Sequence, residues 1–199
     1  MTSTRNRKGI VRAVLAGGIV LGVGAAITLA AWNASDFATG NFDAGTFAFQ
    51  GSANGTDYAL HTSEDPATLS FGDATDMSPG MTTYAAYWLR LGAGTTDDAT
   101  VTLASGGATG VTGLTYGMTQ IGATATCDAS AATTGTSLVP AGTALDSVGA
   151  TAPTFALTAG ATSTDDGTPV QVCLAVTADT GLVQGQSGNA TWQFTAQSN

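Results

Sequence analysis

Positive charge is almost missing from this sequence after its first dozen residues. Five of the 199 residues are Lys or Arg: Arg5, Arg7, Lys8 and Arg12 at the start, and Arg90. All 14 Asp and Glu lie from Asp36 onward. A surface with one fixed cation cannot neutralise a run of phosphates, which excludes nucleic acid as a partner and disfavours anionic lipid. Histidine is as scarce, with His61 alone. A zinc protease of the H-E-x-x-H kind sets two imidazoles on one helical face, so that chemistry is excluded. A Ser-His-Asp triad would have to use His61, which sits in the polar stretch His61-Thr62-Ser63-Glu64-Asp65-Pro66, and no G-x-S-x-G elbow accompanies it. Aromatic residues make up 7% of the chain, too few to spare for a sugar cleft once the core is filled, and no pair of carboxylates stands out for glycoside hydrolysis. No catalytic residue and no enzyme activity is expected.

Cysteine is limited to Cys127 and Cys173. Two are too few for a cysteine-based zinc site. In an oxidising compartment two thiols in one small domain pair, and the loop closed by a Cys127–Cys173 bridge is worth roughly 4 kcal/mol in the chain-entropy account.

What the first residues do contain is an export pattern. The basic stretch leads into an uncharged apolar run from Ala13 to Ala31, and the next charges are acidic. Thr28-Leu29-Ala30 supplies small residues at the positions a signal peptidase reads, which places the cut between Ala30 and Ala31. The rival reading is an uncleaved anchor, but the run is Gly/Ala-rich and short for a membrane span. Residues 1–30 are thus expected to be a signal helix, and residues 31–199 one secreted domain carrying Arg90 against all 14 acids. That acidity keeps an exported chain dispersed. No sorting signal, lipobox cysteine or apolar tail is visible, so no membrane attachment is expected after cleavage.

Beyond the signal there is no apolar pattern at the helical period. Short alternating runs appear instead, separated by Gly, Pro and Asp. The clearest is Ala190–Ala196, with Ala190, Trp192, Phe194 and Ala196 on one face and Thr191, Gln193 and Thr195 on the other. In a second run Val170, Val172, Leu174 and Val176 share a face, and Cys173 points away from it. Further candidate strands are Phe42–Gln50, Ala67–Phe71, Thr83–Leu91, Thr100–Leu103, Leu114–Ile121, Ser137–Leu145 and Thr154–Leu157. About nine strands without intervening helices predict an all-β, antiparallel β-sandwich of jelly-roll type. The Gly/Ala/Thr-rich region Ala104–Ala161 reads equally as strand and loop or as a loose insertion.

Several blocks carry a resemblance. The signal with its cut before Ala31-Trp32, followed by Phe42-Asp43-Ala44-Gly45-Thr46-Phe47, resembles the TasA/camelysin family of SipW-dependent signal-peptide proteins. Met77-Ser78-Pro79-Gly80 with the alternating Tyr84–Leu91 and Gly92-Ala93-Gly94 is similar to a later block of that family. Gly185-Gln186-Ser187-Gly188 before Thr191–Gln197 resembles its closing strand. Met81 after Pro-Gly and the cysteine pair depart from the family pattern. The resemblance implies a secreted jelly-roll subunit of an extracellular fibre or biofilm matrix that self-associates by donor-strand complementation. In that scheme Ala31–Asn41, with Trp32 and Phe37, leaves the folded body and adds to a neighbour's sheet edge. Trp32 and Phe37 serve equally well as a first strand of their own sheet. The alternative from another class is a monomeric secreted or cell-surface binding module. Camelysins are described as metallopeptidases, but the histidine count speaks against that activity here.

The remaining polar residues read as structural. His61, Glu64 and Asp65 could together hold a metal weakly, and Asp73 with Asp76 or Asp165 with Asp166 could ligate Ca²⁺ with loop carbonyls, but no calcium-loop pattern is matched and turn-forming Asp explains them better. No cofactor or resident metal is expected. Arg90 shares a strand face with Tyr84, Ala86 and Trp88, where it pairs with a carboxylate of its own chain, meets another subunit, or simply sits in water. Three N-x-[ST] matches, at Asn33, Asn54 and Asn189, are read as chance.

Overall fold

A computed structural model of the chain describes residues 38–40, 45–72 and 74–199. The signal segment 1–30, the cut at Ala30–Ala31, Trp32, Phe37, Phe42 and Asp73 lie outside the described residues. From Asp43 to Asn199 the chain forms one compact unit.

Among the described residues eight strands form in chain order: β1 Phe49–Ser52, β2 Thr82–Leu91, β3 Ala99–Thr109, β4 Leu114–Ile121, β5 Thr136–Ala144, β6 Thr154–Leu157, β7 Val170–Ala178 and β8 Asn189–Ser198. They build two antiparallel sheets packed face to face, a β-sandwich as the alternation predicts. The larger has the order β1-β2-β7-β4-β5 and the smaller β6-β3-β8. The chain changes sheet before and after each strand of the smaller sheet, so each of those strands finds its partners far away in sequence.

Period-two patterning explains the core. In β2, Thr83, Ala85, Tyr87, Leu89 and Leu91 are buried while the residues between them are exposed or half-buried. They meet Val172, Leu174 and Val176 of β7 and Tyr116 and Met118 of β4, with Val101 and Leu103 of β3 and Leu157 of β6 opposite. Each side chain of this size contributes roughly 1.5–3 kcal/mol on burial.

Three expectations need correction, and one open alternative is decided. Ala67–Phe71 is not a strand. Ala67, Leu69 and Phe71 do alternate inward, half-buried against the core, but Pro66 and Gly72 bracket a run that no strand pairs with. Of the expected strand Phe42–Gln50, the described residues 45–48 lie outside any strand, and β1 begins at Phe49. One short helix, α1 Ala129–Thr134, forms where none is expected. Six residues are too few to show a 3.6-residue period, but Asp128 caps them, its Oδ1 accepting from the Ala131 N–H at 2.9 Å. The region Ala104–Ala161 is built into β3, β4, α1, β5 and β6 rather than being a loose insertion.

The expected disulfide is present, with the Cys127 and Cys173 Cα atoms 5.2 Å apart. Cys173 is fully buried on the outer face of β7, the strand between β2 and β4. Cys127 reaches it from the segment 122–135, which folds over that face. Two hydrogen bonds help to hold the flap: Trp88 Nε1 donates to Ala123 O at 2.9 Å, and Thr119 Oγ1 to Ala132 O at 3.0 Å.

Candidate functional site

The two sheets have four edges, and three are guarded against pairing with another chain. The β1 and β6 edges are four residues long. The β5 edge carries Pro140, which has no N–H to donate, and its register against β4 shifts beside Gly142, whose φ is +84°. Short strands, prolines and bulges are the usual means of blunting an edge. β8 has none of them. It runs ten residues without proline or charge, and the one irregularity in its ladder with β3 falls on β3, between Ser105 and Gly107. Among the described residues it pairs with β3 alone, so no described strand meets the main-chain donors and acceptors on its other side.

A cleft of about 920 Å³ opens beside this edge. One wall is the inward row of β8, with Ala190, Trp192 and Phe194. The floor includes Tyr87 and Leu89 of β2, and the far wall is the irregular segment from Ala59 to Met77, including Leu69 and Phe71. Rings bridge the walls: Phe71 lies 6.4 Å from Trp192, Tyr87 5.6 Å from Phe194, and Tyr116 5.4 Å from Trp192, centre to centre. Trp192 and Phe194 occupy core positions yet are only half-buried, and among the described residues no strand lies on the far side of β8 from β3. Among the described residues no backbone hydrogen bond joins β8 to the segment 59–77. The Trp192 indole N–H is buried without a hydrogen-bond acceptor.

Thr and Ser hydroxyls, Asn189 and Gln193 line part of the cleft, and the titratable groups among its described lining are His61 and Tyr87. His61 is half-buried at its wall rather than exposed on a loop, with Nδ1 3.4 Å from the Tyr87 hydroxyl. Burial pushes the Tyr87 phenol above its usual value. Tyr116 is raised for the same reason, partly offset by the nearby Trp192 indole, and its hydroxyl donates to Ser147 O at 2.8 Å. Among the described residues the side-chain hydrogen-bonding contact of the His61 ring is with Tyr87. His61 does not gather with Glu64 and Asp65 into a metal site, and among the described residues no group of three His, Cys, Asp or Glu converges.

Arg90 is bound within its own chain. Its Nη1 pairs with Asp166 Oδ2 at 2.8 Å, its Nε donates to Gln50 Oε1 at 3.1 Å, and its guanidinium lies 3.9 Å from the centre of the Tyr58 ring. Asp166 also accepts the Ala93 N–H at 2.9 Å. The group ties β1, β2 and the 160s loop together on the side of the larger sheet away from the core. It accounts for Asp166 without a cation.

The inward row of β8 and the position of Cys173 are readable from alternation. The cleft is not, because its far wall has the pattern of a strand and lacks only the partner. Among the described residues no helix is long and apolar enough to cross a membrane. No protein-family model matches this chain, and no curated protein is significantly similar to it.

Proposed function

We propose that this chain is an exported structural subunit that joins its neighbours by strand addition at the free edge of β8. The observation that carries the reading is the contrast among the four edges: among the described residues β8 is the edge that is long, uncharged and free of proline and bulge, and its inward row lines a cleft with half-buried aromatics. An incoming strand would satisfy the free backbone groups of β8 and bury Trp192 and Phe194. The disulfide is compatible with an extracellular setting. The export pattern of residues 1–30 and the resemblance to fibre-forming secreted proteins agree with it.

The donor in this scheme is the segment Ala31–Asn41 of another copy. Trp32 and Phe37 are five residues apart and so point to opposite faces of an unbroken strand. One of them enters the cleft and the other faces out. Trp32 shares its face with Ala34 and then Asp36; Phe37 shares its face with Ser35 and Asn33.

Sedimentation and electron microscopy of the secreted, processed protein test the reading. Concentration-dependent polymers are expected, and they should vanish when residues 31–41 are removed. Of Trp32→Ala and Phe37→Ala, one is expected to abolish assembly and the other to leave it. A stable monomer at every concentration would instead support a binding module, since the cleft also falls within the roughly 300–1,000 Å³ of small-molecule sites.

A further inference from the structure

All eleven Asp and Glu among the described residues lie in loops and turns, and the eight strands contain a single charged residue, Arg90 of the larger sheet. The outward face of the smaller sheet therefore carries no charge at all. Register fixes what it does carry. Thr154, Thr102 and Thr195 stand side by side across β6, β3 and β8, and Ala156, Thr100 and Gln197 form the next row. Ala104 pairs with Gln193 beyond them, and Thr191 follows on β8. Thr102, Thr154, Gln193 and Thr195 are exposed. The larger sheet differs, because the disulfide-held flap and the Arg90 group cover part of its outer face.

We propose that this bare face is a contact between copies of the chain, packed sheet against sheet. An acidic protein resists meeting itself anywhere its carboxylates face each other, and this is a broad surface from which they are absent. Threonine hydroxyls and glutamine amides both donate and accept, so the face complements its own copy across a two-fold axis. A charged partner finds no counter-charge here. A neutral glycan finds no aromatic ring to stack on. The footprint is on the order of 300 Å² per copy from strand spacing, well short of the roughly 800 Å² per partner of a stable dimer. The contact is therefore weak between two free molecules and takes hold where many copies are arrayed and their contacts add. It is separate from the β8 edge and does not need the fibre reading.

Beads densely coated with the protein through a carboxyl-terminal tag supply such an array without any fibre. Coated beads are expected to clump in plain buffer. The pair Thr102→Glu with Thr154→Glu, which puts charge on the face and leaves β8 intact, is expected to disperse them. The same charge added in loops, Thr124→Glu with Thr180→Glu, should leave clumping unchanged. Should the threonine pair fail to fold by circular dichroism, the near-isosteric Gln193→Glu with Gln197→Glu replaces it. Dispersed wild-type beads, clumping that survives the face variants, or clumping that appears only with an added neutral polysaccharide would each overturn the proposal. Face-dependent clumping of a protein that forms no filaments under the microscope would remove the fibre reading and leave this one standing.

Discussion

The two sheets of this sandwich are finished to different degrees. The larger has five strands, two guarded edges, a disulfide-anchored flap and an arginine held by three partners. The smaller has three strands, one unguarded edge, a bare neutral face and two half-buried aromatics in core positions. Across the cleft from that edge runs the segment 59–77, which contributes side chains to the core and, among the described residues, no backbone ladder. The comparison teaches that stability and availability are placed in different sheets. Fixed interactions accumulate in the larger sheet, and among the described residues the β8 edge has no strand beside it.

Three measurements would break or sharpen that contrast, the largest effect first. Replacing Cys127 and Cys173 together by alanine, or reducing the bridge, should lower unfolding free energy by about 4 kcal/mol, read from the urea midpoint. A loss below roughly 1 kcal/mol would mean that the flap's hydrogen bonds hold it unaided. Next, Tyr87 and Tyr116 keep their protons more tightly folded than unfolded, since burial raises both. As pH rises past the ordinary tyrosine value of 10.0, the unfolded chain loses protons that the folded chain retains, so stability should fall above that pH and be flat just below it. Tyr116→Phe should lessen the slope in denaturation curves taken between neutral pH and about pH 11; an unchanged slope would assign the alkaline loss elsewhere. Smallest, Arg90→Gln should cost about 1 kcal/mol in thermal or urea unfolding, because Asp166 is partly exposed and the pair is screened. It should leave any polymerisation untouched. Lost assembly in that variant would move the interface to the larger sheet.

Much of the fold is legible as period two. Ala190, Trp192, Phe194 and Ala196 and the row Val170, Val172, Leu174 and Val176 fall on the core side as their alternation requires. Cys173 faces the other way, and its partner arrives from a loop on that side. Alternation alone cannot tell Leu114–Ile121, which has two neighbours, from Ala67–Phe71, which has none, because side-chain pattern records burial and not backbone pairing. The same limit hides the site. An open edge is defined by the strand that is missing beside it, and strand order depends on contacts between distant parts of the chain. Arg90 is recognisable as unusual by its scarcity, but its choice of Asp166 over the other acids comes from the fold of the 160s loop.

The connectivity of β3 has a consequence for the order of folding. Val101 is flanked by Phe155 on one side and Ala196 on the other, so both neighbours of this strand arrive long after it has left the ribosome. No local hairpin can hold it in the meantime, and closing such long loops precedes any gain from the contacts they bring. The smaller sheet is therefore expected to be the last part of the molecule to form, slowly, with its apolar side waiting uncovered until the final strand docks.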